Sequence, residues 1–421
     1  MKNKKQVFSW ALYDWANSAY ATTVMAGFFP IFLKQYWSTG SEVTESTFQL
    51  GLANSLAGIF VVILAPVLGA IADRSQARKR FLLFFAVMGM TMTSGLFLVE
   101  QGDWPLAIML YILATLGFMS GNVFYDSLIV DVCEEDKRDR VSALGYAFGY
   151  LGGGLLFSLN VAMTLWPEFF GFADKAQAVR VAFISVAVWW AVFSLPVFFF
   201  VKESKNKQKF IEEGAIVAGF KQLAGTFREI RRLRVVSLFL LAYWLYIDGV
   251  DTIVRMAVDY GMSIGFDSNS LIIALLITQF VGFPATLCFG YLGEKIGTKT
   301  GIMIGIATYI VVVVWAYFMD NVNEFYMIAI IIGLVQGGIQ ALSRSFYSRI
   351  IPANKSAEYF GFYNMWGKFA AIIGPVMVGW VGIMTGSSRV AILSIVILLI
   401  LGAVILSFVN EEQGKRMAQE L

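Results

Sequence analysis

"GAIADRSQARKR" (residues 69–80) and "GYLGEKIGTKTG" (residues 290–301) are two versions of one pattern. Each ends an apolar block on a glycine, places an acid four residues on (Asp73, Glu294), and follows it with basic residues (Arg74 and Arg78; Lys295 and Lys299). The first copy carries one extra residue, and Gln76 or Ala77 stands where the second has Gly297. A weaker echo links "VSALGYAFGY" (141–150) with "AEYFGFYNMW" (357–366). Both pairs fall at matching places in the two halves of the chain. The repeat therefore predicts two parallel halves with a substrate site near the bilayer midplane between them.

The blocks around these signatures are membrane-like. Of 421 residues, 58% are hydrophobic and only 14% charged, too few charges to cover a soluble domain of this size. Apolar blocks near 10–36, 48–71, 81–99, 105–128, 141–165 and 179–201 are long enough to cross about 30 Å of hydrocarbon. So are those near 235–257, 269–292, 300–319, 324–348, 359–384 and 390–409. The expected fold class is an all-α membrane protein of twelve transmembrane helices in two pseudo-symmetric six-helix halves, 1–201 and 235–421. Between them, 202–234 begins with a charged stretch and continues as "AIVAGFKQLAGTFREIRRLR". That segment has apolar residues at helical spacing and a basic end, the pattern of an amphipathic helix on the membrane face.

Lys and Arg crowd the N-terminus, the second-to-third and fourth-to-fifth connections, the linker and the C-terminal tail. The opposite loops carry mostly acids: Glu42, Glu45, Glu100, Asp103, Asp267, Asp320 and Glu324. The positive-inside rule then makes both termini cytoplasmic, in the cell (inner) membrane. No basic run is clustered for nucleic acid. The chain has no His, and Cys133 and Cys288 form no framework or metal spacing. No nucleophile–base pair, metal set or phosphate loop marks an enzyme, so no catalytic residue, metal or cofactor is expected. The first apolar block is too long for a cleavable signal peptide.

The two signature loops resemble those of the major facilitator superfamily. There the acid and basic residues are similar to a charge-relay latch, which implies a gating role for Asp73, Arg74, Arg78, Glu294 and Lys295. A narrower resemblance rests on "SWALYDWANSAYATTVMAGFFPIF" (9–32), "FYDSLIVDV" (124–132), "RVSALGYAFGYLGGGL" (140–155), "QGGIQALSRS" (336–345) and "EYFGFYN" (358–364). Together these resemble the branch of that superfamily containing the yeast vacuolar amino-acid effluxer of autophagy and its bacterial relatives. The resemblance implies alternating access and release or export of small solutes, neutral amino acids in the yeast case. The superfamily's antiporter signature includes a Gly-Pro pair in the fifth span. It is missing here, and antiport is not assigned.

Ionisable groups in lipid are costly unless paired or wet, so each is a candidate site residue. Asp14 and Asn17 are one turn apart near the start of the first span. Asp14 is either an N-cap or part of a face looking into the cavity or its gate. In the seventh span Asp248, Asp251 and Arg255 share a face at i, i+3, i+7. Asp251 and Arg255 can neutralise each other, whereas Asp248 has no local escape. Gln336, Gln340 and Arg344 line one face of the tenth span, for interhelical bonding or for a solute, with Arg344 at a cytoplasmic gate. Asp126, near the cytoplasmic end of the fourth span, suits gating. The remaining solute candidates are Tyr146 and Tyr150 in the fifth span, and Tyr363, Asn364 and Lys368 in the eleventh. Lys368 is deep enough to want an acid, Asp14 or Asp126.

Carboxylates together with cations and amides suit a small zwitterion such as an amino acid, its amine on the acids and its carboxylate on Arg or Lys. A driving proton must ride on a buried carboxylate, since there is no His. Asp248 is the first candidate. The expected partners are a small solute, a proton as the candidate coupling ion, and membrane lipids. A monomer is expected. Two rival readings remain: a lipid flippase or multidrug exporter, with a more apolar cavity, and a non-transporting receptor or scaffold that signals through 202–234.

Overall fold

The apolar blocks become a bundle of long helices in a computed structural model that describes residues 4–39, 43–203, 233–266 and 268–419. In the first half α1 runs from Lys4–Ala19 through π-helical turns at Tyr20–Phe28 and Leu33–Trp37. It is followed by α2 (Val43–Ser75), α3 (Arg78–Gly95), α4 (Trp104–Ser127), α5 (Arg138–Leu165) and α6 (Lys175–Phe200). The second half holds α7 (Arg234–Ser263), α8 (Ser268–Ile296), α9 (Thr298–Phe318), α10 (Val322–Arg349), α11 (Ser356–Thr385) and α12 (Ser388–Leu393 continued by Ile395–Ser407). A short α13 (Glu411–Gln419) follows. The expected amphipathic helix of the linker lies outside the described residues, as do the side chains of Arg74, Arg255 and Lys368.

The protein is an integral membrane protein with the expected twelve-helix, two-half architecture. Among the described residues ten helices are long and apolar enough to cross a bilayer. The other two crossings, α1 and α11, carry candidate site residues: Asp14 and Asn17 on the first, and Tyr363, Asn364 and Lys368 on the second. The far ends of several helices start on side-chain caps. Asp103 accepts from the Leu106 N–H, Asp174 from Gln177 and Asn321 from Glu324, satisfying amides that a helix start leaves open.

The halves meet where α5 packs along α8 and α2 along α11. The leading glycines of both signatures lie at these crossings. A Cβ on Gly69 would strike the Ala357 carbonyl, and one on Gly290 would strike the Ala143 side chain. The two crossings are the same contact repeated, since 141–150 and 357–366 are the echoing segments. The signature turns also correspond. Gly297 has φ +90° and Gln76 has φ +51°, so Gln76 fills the left-handed slot, while Ala77 at φ −126° does not.

Candidate functional site: a charged gate and a tyrosine-lined centre

Arg344, on α10, is 1% exposed although it is charged. Its Nη1 lies 2.9 Å from Asp126 Oδ1 and 3.3 Å from Asp14 Oδ2, both on the first half. Its Nε donates to Ser142 Oγ at 2.9 Å and its Nη2 to the Ser142 carbonyl at 2.8 Å. Its guanidinium also lies over the rings of Tyr146 (4.2 Å), Trp10 (4.8 Å) and Tyr125 (5.6 Å). Arg is suited to this place because its planar fork can bond two carboxylates and stack on aromatics at once. Tyr125 Oη donates to Asp14 at 2.8 Å, and Asn364 Nδ2 reaches Asp126 at 3.5 Å. Gly145 makes room, since a Cβ there would lie 2.5 Å from Asp14 Oδ2 and 3.0 Å from Arg344 Nη2.

Asp14 is therefore mid-helix, ten residues after Lys4, and not an N-cap. Asn17, one turn on, donates to Asn122 at 2.6 Å. The N-cap alternative fails because α1 begins well before the apolar block, extending through polar Lys4–Gln6.

Outside this cluster, toward the face that carries both described ends of the chain, the signatures close a second tier. Asp73 accepts the Glu358 N–H at 2.9 Å, at the start of α11 in the other half. Arg78 reaches Ser356 at 2.6 Å, Asp131 at 2.6 Å and Glu203 at 3.2 Å. In the second copy Glu294 pairs with Arg140 at 2.6 Å, across the halves, and Lys295 lies over the Tyr291 ring. Asp139 (α5) and Arg349 (α10) meet at 3.0 Å, and Arg138 donates to the Ser348 carbonyl. The sequence reading missed Asp139, Arg349, Asp131 and Glu203. They lie at span ends, where a charge raises no suspicion by itself, although Asp139 opens the span that carries Tyr146 and Arg349 closes the one that carries Arg344.

Deeper in, a different chemistry collects. Asp251 acts electrostatically on Tyr146, Tyr150, Tyr243 and Tyr309. Tyr150 fits between α8 and α10, against Gly282 and Gly337. The buried Tyr309 Oη and Gln336 Oε1 have no hydrogen-bond partner among the described residues. Buried polar atoms are seldom left so. Gln340 is half-buried between Gln336 and Arg344 on α10. Tyr363 stacks on Tyr243, with centroids 4.2 Å apart. Tyr309 and Tyr243 had no spacing signal of their own, one sitting among the apolar residues of α9 and the other in an aromatic run.

Asp248 belongs to neither group. It is 1% exposed, and both its oxygens accept the Gly374 N–H of α11 at 3.0 Å. Among the described residues no cluster of three or more Cys, Asp or Glu is arranged to hold a metal.

A duplicated twelve-helix bundle, locked across its halves by charge at one face and lined with polar groups at its centre, is the construction of a secondary transporter of the major facilitator type. The sequence profile of the family described as "Vacuole effluxer Atg22 like" matches residues 38–138 and 130–419, and the chain belongs to that family. It is 38% identical, over 99% of its length and 97% of the relative's, to an uncharacterized MFS-type transporter, YxiO, of Bacillus subtilis. It is 23% identical to autophagy-related protein 22 of Yarrowia lipolytica, covering 91% of this chain and 78% of that one. Among solved structures it is similar to FucP, a major facilitator superfamily transporter in the outward conformation. The TM-score is 0.72 at 12% identity, with 96% of this chain and 98% of that chain covered. At that identity the likeness carries the fold alone.

Proposed function

We propose that this secondary transporter moves a small zwitterion of the amino-acid class by alternating access, coupled to a proton. Asp251 and the surrounding tyrosines offer an anionic, aromatic-lined place for the amine. Gln336 and Tyr309 offer polar atoms to the rest of the solute. The face closed by Arg344, Asp73, Arg78 and Glu294 is the cytoplasmic one, as the distribution of Lys and Arg supports.

One observation carries the reading. A single buried cation, Arg344, is shared by two carboxylates of the opposite half, Asp14 and Asp126. With both ionised the cluster keeps a negative charge, which is expensive away from water. A proton on one carboxyl balances it. When the halves part, Arg344 leaves and the acids gain water, so proton release is tied to opening. The same parting offers Arg344 to the solute carboxylate. Asp248 is less suited than this pair, because its bonds to Gly374 and Thr252 lie within one half and are not broken when the halves part.

The test is flux of labelled amino acids into proteoliposomes, with and without a pH gradient. Asp126→Asn, which holds its position without titrating, should keep solute exchange but lose gradient-driven accumulation at least tenfold. Gradient-driven accumulation equal to the parent protein's would remove the pair from coupling. Flux of lipid or apolar drugs alone would overturn the solute class.

A further inference from the structure

Asp248 and Gly374 join two helices of the same half at the depth of the solute site. Asp248 stands 14 residues into α7, about 21 Å along it. Gly374 is followed by Pro375, inside α11. Proline has no N–H and its ring crowds the carbonyl one turn back, so the helix is weakest there. At that point the Gly374 N–H donates to Asp248 Oδ1 and Oδ2 at 3.0 Å each. Thr252 Oγ1, one turn further on α7, donates to Asp248 Oδ1 at 3.3 Å. The fit is close. A Cβ on Gly374 would collide with Thr252 Oγ1 and come 2.8 Å from Asp248 Oδ1.

We infer that Asp248 is a positioning residue, a carboxylate clasp that secures α11 at the proline-weakened point Gly374–Pro375 and ties the swing of its outer segment to α7. The clasp sits one turn from Asp251, on the helix that carries the candidate solute group. A second tie lies below it, where Tyr243 of α7 stacks on Tyr363 of α11 at 22°. Between these ties the inner segment of α11 holds Asn364 against Asp126 of the other half. Movement of α7 on solute binding therefore reaches the gate through the inner segment, and the outer mouth through the pivot. The inner segment is held by ring stacking over a broad area. The outer segment, from Pro375 to Thr385, is held to α7 through the clasp. A buried charge-assisted bond to backbone is strong and directional, and is lost at once when the acceptor goes.

The inference rests on the alternating-access reading but not on the solute, and its test needs none. Met384 and Phe318 are exposed at the outer ends of α11 and α9. Spin labels at M384C and F318C, in full-length protein lacking its native cysteines and held in lipid nanodiscs, report the outer segment against its own half. The parent should give one narrow distance distribution. Asp248→Ala, with no acceptor, should broaden it by at least twofold. Asp248→Asn, which keeps a carbonyl oxygen, should stay close to the parent. Adding Pro375→Ala to the Asp248→Ala protein restores a backbone bond in α11 and should narrow the distribution again. A parent-like distribution for Asp248→Ala overturns the clasp, as does broadening by Asp248→Asn equal to that of Asp248→Ala. If Asp248→Ala is not recovered folded, Gly374→Ala displaces the carboxylate while leaving it present, and an unbroadened distribution there overturns the clasp equally. None of these outcomes depends on which solute is carried, so amino-acid flux can fail while the clasp stands, and the reverse.

Discussion

At the scale of the residue, Arg344 is a costly group to isolate. It is fully desolvated, and its three donor nitrogens are used by Asp14, Asp126 and Ser142. Removing one member of such a buried set costs about 3–5 kcal/mol, mostly because the others are left uncompensated. Arg344→Gln should therefore lower the melting temperature and abolish net flux. Adding Asp14→Asn and Asp126→Asn should recover most of the stability but none of the coupling. Thermal unfolding of the single and triple variants in detergent separates the two effects, and equal melting losses would show that the charges do not act as a unit. Much of this was open to sequence reasoning. Asp14, Asp126 and Arg344 were all marked as intramembrane charges, because lipid makes any such residue suspect. Their joining was not legible. The three lie on α1, α4 and α10, and periodicity assigns a face to a side chain without saying which face of another helix it meets. The aromatic sandwich from Trp10, Tyr125 and Tyr146 was hidden for a plainer reason: rings abound in this chain, and most of them serve packing.

At the scale of the element, the two signature turns show how a repeat keeps its geometry after its sequence drifts. Gly297 takes its positive φ freely. Gln76 takes the same turn at a cost of about 1–2 kcal/mol for a side chain in that region. It is held there because its neighbours are fixed on both sides. The Gln76 N–H bonds the Asp73 carbonyl, and Ala77 bonds Ala72, while Asp73 and Arg78 are committed to α11. Gln76→Gly should leave the melting temperature unchanged or raise it slightly. Gln76→Val, β-branched, should lower stability by about 1–2 kcal/mol beyond that. Equal melting for the two variants would show that the turn relaxes out of the left-handed region. The span boundaries, by contrast, were readable to within a few residues almost throughout, because hydrocarbon thickness sets helix length directly. The exceptions are the ends at the charged face, such as Lys4–Gln6 and Arg138–Arg140. At Arg138–Arg140 the helix runs on past the apolar block because its charges pair across the halves and need no lipid, while Lys5 packs over the Phe200 ring.

At the scale of the whole molecule, the halves are closed at one face by stacked tiers, and Cys133 reports whether those tiers are open. It lies between α4 and α5, outside the membrane-spanning helices, with Arg138 and Arg349 close enough to act on it electrostatically. Burial pushes its thiol up to about 12 despite those two cations. Burial favours the neutral form, so the reactive thiolate is on the order of one part in 10,000 at pH 8 and grows about tenfold with each pH unit below 12. Once the halves part, water returns and the thiol falls toward an ordinary value of about 8.5. Maleimide labelling in a Cys288→Ser background should then be slow in the parent protein and still rising steeply at pH 10. Arg349→Gln breaks the pairs to Asp139 and Glu411 and favours opening. It should label at least tenfold faster at pH 8, with a rate that levels off near pH 9. A parent-like pH profile in that variant would mean that the Arg349 tier does not hold the face shut, leaving Arg344 and the Asp73–Glu358 contact to do so. Labelling of an Arg344→Gln/Arg349→Gln protein decides between the tiers, because a face held by both opens fully only when both are lost.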